Sequence, residues 1–167
     1  MKKSLIILSF LLVALTSFGQ DGFQLIEKKE QVKVPFQLIK NLIFIPVKVN
    51  GVTMTFLLDT GVEETILFSF EETDTVPFYN VNKIKLRGLG SDESIEALSS
   101  RENRVEIAKN FVDTNHTILV VLNEEINFSS SVGIPVNGII GYHFFKNNCV
   151  KIDYAKKHLF VYKENSK

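Results

Sequence analysis

The chain has 167 residues, 45% apolar and 23% charged, which suits one domain with a buried core rather than two domains or a disordered chain. Nineteen Lys and Arg balance nineteen Asp and Glu, and this zero net charge argues against nucleic acid as a partner, because phosphate binding needs a basic excess or stripe. One cysteine excludes a disulfide framework or a multi-cysteine zinc site, and three scattered histidines argue against a histidine-rich metal site.

The N-terminus reads as a targeting segment. Lys2 and Lys3 precede the apolar run from Leu5 to Leu15, and the small residues Ser17 and Gly19 stand at the −3 and −1 positions of a cleavage site before Gln20. The apolar run is shorter than the ~20 residues of a spanning helix, so an uncleaved anchor is the weaker alternative. The expectation is a signal peptide over residues 1–19 and an exported protein, periplasmic or secreted, with no stable membrane span after processing. Loss of Lys2 and Lys3 leaves 17 basic against 19 acidic residues, a net charge of −2.

Residues 20–41 begin polar and charged and are expected to form a leader or edge strand, with the domain proper over 42–163. Ile43, Ile45, Val47 and Val49 alternate with Phe44, Pro46 and Lys48, a period-two strand. Asn50-Gly51 is a strong hairpin signal, since both residues of the tight turn need positive φ. Val52 to Leu58 is then the return strand, and it runs into Asp59-Thr60-Gly61. Further on, a short strand is expected within Glu63 to Phe70, an acidic loop over Glu71 to Pro77, and strands at Ile84–Leu86, Ser94–Leu98, Val105–Ile107 and Thr117–Leu122. A polar loop over Glu124 to Val132 leads to Ile139-Ile140-Gly141, a short helix over Tyr142 to Asn147, and strands at Cys149–Tyr154 and His158–Tyr162. Eight to ten short strands and one helix make an all-β domain, a barrel or a sandwich.

The chemistry concentrates in Phe56-Leu57-Leu58-Asp59-Thr60-Gly61. Three apolar residues drive a strand into the core, and it ends on an ionisable group whose burial costs several kcal/mol unless it is paired or protonated. Gly61 is expected to let the chain turn sharply and aim amide N–H groups at the carboxylate, and the Thr60 hydroxyl to hold the turn from beneath. Taken alone, the tripeptide also fits an ordinary Asx-turn at the end of a strand.

The segment from Leu57 to Leu67 resembles the active-site segment of retropepsin-like aspartic proteases. In that family a glycine-rich flap hairpin comes next, matched by Gly88-Leu89-Gly90. An apolar-apolar-Gly element then leads into a helix, matched by Ile139-Ile140-Gly141 and Tyr142 to Asn147. The closing strand pair of exported bacterial members is similar to Val150–Tyr154 and His158–Tyr162, so the resemblance spans roughly residues 42 to 162. It implies a single-lobe acid-protease barrel with one short C-terminal helix. It also implies an aspartic endopeptidase acting on peptide or protein substrates without metal or cofactor. The chain holds one Asp-Thr-Gly, so the second carboxylate is implied to be Asp59 of another copy, across the two-fold axis of a homodimer. Thr60 and Gly61 are implied to support the active-site loop, Gly88 to Gly90 to cover the substrate, and Ile139, Ile140 and Gly141 to shape the pocket beneath. Two features depart from the family: Val62 stands where Ala or Ser is usual, and the flap tip Gly90-Ser91-Asp92-Glu93 is acidic.

Asp74-Thr75 and Asp113-Thr114 lack the glycine and the apolar strand and are expected in loops. His116, His143 and His158 show no ligand spacing and are expected at the surface or at strand edges. Cys149 is expected to be a buried small hydrophobe, Asp153 a strand-end residue, and the phenylalanines at 56, 68, 70, 78, 111, 144, 145 and 160 core residues. Two alternatives stay open: an inactive peptide-binding homologue, suggested by Val62, and a small β-barrel carrier of apolar ligands.

Overall fold

The computed structural model describes residues 22–26, 29–68, 75–87, 94–122 and 129–163; the expected signal peptide, Phe70, Asp74 and the expected flap residues 88–93, Gly88, Leu89 and Gly90 among them, lie outside them. The sequence enters the fold through β1 (Gln24–Leu25), β2 (Gln31–Pro35) and β3 (Gln37–Ile39). β4 (Leu42–Val49) and β5 (Val52–Leu58) form the expected hairpin. Asn50 and Gly51 have φ of 47° and 98°, and the Asn50 side chain also accepts the Arg104 N–H at 2.8 Å. β6 (Thr65–Phe68), β7 (Asn82–Leu86), β8 (Ile95–Glu106) and β9 (Phe111–Val121) follow. Then come the helical turn α1 (Ser129–Val132), β10 (Gly138–Ile140), α2 (Tyr142–Phe145), β11 (Asn148–Asp153) and β12 (His158–Lys163).

Six strands close on themselves. β9 pairs β6, β6 pairs β10, β10 pairs β5, β5 pairs β4, β4 pairs β8, and β8 returns to β9. Most neighbours are antiparallel, but β10 runs parallel to β5 and β6 parallel to β9. Consecutive residues on these strands face opposite ways, and both faces are covered. Ile45, Phe56, Leu67, Ile118 and Ile140 pack into one apolar cluster, whereas their neighbours Phe44, Leu57, Ile66 and Ile139 pack into a second. This two-sided burial explains why the strands read as apolar runs rather than strict alternation. Phe44, Phe56, Phe68, Phe111 and Phe144 are fully buried, and each such side chain contributes roughly 1.5–3 kcal/mol.

The N-terminal residues belong to this body. Phe23 is buried against Phe111 and Phe144, β1 pairs β9, and β2 pairs β12 to complete the three-stranded sheet β11-β12-β2. That sheet is covered on one face only: Leu159, Val161 and Val34 are buried while Cys149 and Lys151 are exposed. Cys149 is therefore not the buried hydrophobe its apolar neighbours suggested, because it alternates to the open face.

Two other expectations change. The stretches Ser94–Leu98 and Val105–Ile107 fall on one long strand, β8, rather than two. The polar stretch before Ile134 ends in α1 rather than continuing as loop. Asp153 does close its strand, with its carboxylate accepting the Lys156 N–H at 2.9 Å.

Candidate active site

Asp59 is the first residue beyond β5, half-buried, and Thr60 and Gly61 after it are exposed. The parallel pairing of β5 with β10 sets Leu58 opposite Ile140, so the next residues, Asp59 and Gly141, leave the sheet side by side. The Asp59 N–H donates to the Ile140 carbonyl at 3.0 Å. The Gly61 N–H donates to Asp59 Oδ1 at 2.8 Å, which fixes the carboxyl group at that oxygen. A Cβ on Gly61 would stand 3.2 Å from that same oxygen. Gly61 thus serves by leaving space at the carboxylate; its φ is not among the positive values that would call for glycine's backbone freedom.

The loop is held from below. The Tyr142 N–H donates to the Val62 carbonyl at 2.8 Å. Gly141 passes so close that a Cβ there would lie 1.8 Å from Val62 O. Ile140 is fully buried in the first apolar cluster and Ile139 in the second, one on each side of β10. The sequence-predicted residues Asp59, Thr60, Gly61, Ile139, Ile140 and Gly141 therefore converge on one site. β7 and the start of β8 form a hairpin with Leu86 opposite Ile95. Both residues pack on the second cluster beside Val62, Leu57 and Ile139, which brings the hairpin's arms over an apolar floor next to Asp59.

Sequence reasoning missed a second, buried set of polar groups beside this loop. Thr65 Oγ1 lies 2.6 Å from His116 Nε2, His116 Nδ1 lies 2.7 Å from Asp113 Oδ2, and the Asn115 N–H donates to Asp113 Oδ1 at 2.9 Å. Thr65, His116 and Asp113 are all buried. This corrects the expectation that His116 is a surface or edge residue and Asp113 a loop residue. Their spacing of three would put them on opposite faces of a regular strand. Here the register of β8 with β9 slips by one between Ser100/Ile118 and Asn103/His116, and slips back between Asn103/His116 and Val105/Asp113. The extra residue on β9 is a β-bulge, which turns Asp113 and His116 to one side.

Burial by itself raises the Asp113 carboxyl; the His116 hydrogen bond, the Asn115 N–H and the charges of His116 and His143 outweigh it and hold the group below its usual 3.8. His143, half-buried on α2, points Nε2 at Glu64 Oε2 at 3.5 Å, and its ring meets that of His116 edge-on at 6.0 Å. Glu64, Asp113, His116, His143 and Lys146 line a small cleft of about 110 Å³. Among the described residues no group of three or more His, Cys, Asp or Glu could hold a metal ion, and no helix is long and apolar enough to cross a membrane.

A family model described as aspartyl protease matches residues 45–144. Among solved structures, the chain is similar to a retropepsin-like aspartic protease from Rickettsia conorii. The two share 17% identity, the match covers 87% of this chain and 97% of that one, and the TM-score is 0.56. That is a likeness of fold, and it makes this all-β single lobe a retropepsin-like one. No curated protein matches the chain.

Proposed function

The chain belongs to the aspartyl protease family, and from that premise we propose that it is an exported endopeptidase whose active form is a homodimer with one Asp59 from each copy. The observation that carries this reading is the held, half-buried carboxylate of Asp59 at the end of a buried strand. Asp-Thr-Gly occurs once in the sequence, and Asp113 is engaged by His116. A water-activating pair then needs a second copy, which a two-fold axis at the exposed Thr60 supplies.

Two carboxylates brought close together share one proton, because both cannot ionise cheaply at that distance. The ionised one takes a proton from the bound water as its oxygen attacks the scissile carbonyl carbon. The protonated one donates a hydrogen bond to the carbonyl oxygen, and a proton then passes to the amide nitrogen as the C–N bond breaks. The arms of the β7–β8 hairpin cover an extended peptide, whose backbone adds a strand to theirs. A substrate-covering role for Gly88-Leu89-Gly90 rests on the sequence resemblance alone, and export on the signal peptide read over residues 1–19.

The test uses residues 20–167, with the mass measured in solution and cleavage of a mixed peptide pool followed from about pH 3 to pH 8. Cleavage by a dimer that Asp59→Asn abolishes, with the folded structure kept, is the expected result. A second reading, a peptide binder without hydrolysis, is favoured by the bulk of Val62 beside the loop; tight peptide binding with no cleavage by either form would establish it instead.

A further inference from the structure

Asp113, His116 and Thr65 stand in the order of an acid, a base and a hydroxyl, at 2.7 Å and 2.6 Å. Thr65 is fully buried and does not line the neighbouring cleft, so no substrate reaches its oxygen as it would reach a nucleophile. A different role suits the place of the set in the fold. Thr65 begins β6 and ends the stretch that starts at Asp59. That stretch is held at Asp59 by Ile140 O and at Val62 by the Tyr142 N–H, both from the β10–α2 side. Its downstream end is fixed by His116, from β9 on the other side of β6.

We propose that Asp113 and His116 are positioning residues for the Asp59 loop, acting through the Thr65 hydroxyl; the proposal rests on the aspartic peptidase reading only for its catalytic consequence. Two observations on the same bulge support it. The paired bulges in β8 and β9 cancel within a few residues, and between them Asp113 and His116 turn inward together, as Ser100 and Asn103 do on β8; bulges beside active sites commonly re-aim side chains in this way. The bulge is also fully built: Asn103 Nδ2 donates to the His116 carbonyl at 3.1 Å and to Ser100 Oγ at 3.0 Å, and both Asn103 and Ser100 are buried. The Phe23 ring packs on His116 at 5.1 Å and excludes water from that side of the imidazole.

The chain of bonds works with either charge on the imidazole. Nδ1–H donates to Asp113 throughout, while Nε2 accepts the Thr65 hydroxyl when neutral and donates to it when protonated. Among the described residues, the other titratable groups facing this cluster are Glu64 before β6, His143 on α2 and Lys146 in the turn after it. His143 Nε2 also approaches Glu64, the residue next to Thr65, at 3.5 Å, without a hydrogen bond to Glu64 Oε2.

The experiment compares Thr65→Val, which keeps the shape and removes the hydroxyl, Thr65→Ser, which keeps the hydroxyl, and Asp113→Asn, which leaves the imidazole without its anion. Amide exchange at Thr60 to Glu64 is measured relative to β4 and β5, together with kcat and KM for a cleaved peptide. For Thr65→Val and Asp113→Asn the expected result is exchange in the loop about 10-fold faster relative to the strands, and kcat lower by about 10- to 100-fold with KM nearly unchanged. Thr65→Ser restores both. Loop and strand exchange rising together, with kcat per folded molecule intact, would overturn the proposal and make the cluster a matter of stability alone. If Thr65→Val does not fold, Asp113→Asn and Thr65→Ser decide by the same readings. If the wild-type protein cleaves no peptide, the peptidase reading fails while the exchange measurement still decides whether these residues hold the loop.

Discussion

Replacing Gly141 by alanine would place a methyl carbon 1.8 Å from Val62 O, 2.7 Å from Val62 C and 3.3 Å from Val62 Cβ. Non-bonded carbon contacts settle at ~3.5–4.0 Å, so β10 and the Asp59 loop would have to separate by more than about 1 Å. The backbone φ of Gly141 is −110°, outside the left-handed region that favours glycine, and the close contact is the penalty that counts here. Overpacking of this kind costs about 1–3 kcal/mol. Loss of the 2.8 Å bond from Tyr142 N–H to Val62 O adds about 0.5–1.5 kcal/mol. For a domain of this size the two together lower Tm by about 5–15 °C. A shift of about 1 Å in a catalytic group lowers kcat by about 100-fold, so peptide cleavage well below the new Tm should fall by that order. Gly138→Ala is the control. Its Cβ would meet Ile66 O at 2.3 Å and the Phe56 ring at 2.6 Å, on the same strand but away from the loop. It should cost comparable stability and leave kcat per folded molecule within a few-fold. Undiminished cleavage by Gly141→Ala, or an equal loss in Gly138→Ala, would refute the reasoning that β10 sets the loop through direct contact.

Other predictions follow from the same geometry. Asp113 is held below 3.8 in the fold, so its contribution to stability is present above that value and lost as pH falls through the lower folded one. The Tm gap between wild type and Asp113→Asn should therefore hold steady near pH 5 and close below about pH 4; a gap that widens in acid contradicts the assignment. Phe23→Ala should cost about 3–5 kcal/mol, read by denaturant unfolding, because the ring is buried against Phe111, Phe144 and His116. A loss below 1 kcal/mol would mean that the N-terminal segment is dispensable to the barrel. Cys149 lies on the open face of β11, so the native protein should take up one maleimide per chain without denaturant, and a thiol that reacts only after unfolding would place it elsewhere.

Local physics alone made much of this molecule legible. Asn50-Gly51 can only be a tight turn between two apolar strands. A strand as apolar as Phe56-Leu57-Leu58 reads as buried, but the Asp-Thr-Gly at its end fits an Asx-turn as well as a site, and the family resemblance is what singled out Asp59. Ile139-Ile140-Gly141 stood out only through the family resemblance, and the structure supplies the reason for its glycine, a passage past Val62 too close for a Cβ.

What the sequence could not declare depends on which strands meet. Cys149 opens an apolar-patterned strand with Val150 and Ile152, and only the one-sided covering of the β11-β12-β2 sheet turns it outward. Asp113 and His116 carry no ligand spacing or catalytic pattern. Their meeting with Thr65, distant in the chain, requires β6 to run parallel to β9 and a bulge to rotate one strand locally. Side-chain period and turn chemistry are properties of a few neighbouring residues and can be read along the chain. Register, sheet closure and bulges are settled by hydrogen bonding between distant strands, and they exist only once the barrel has closed.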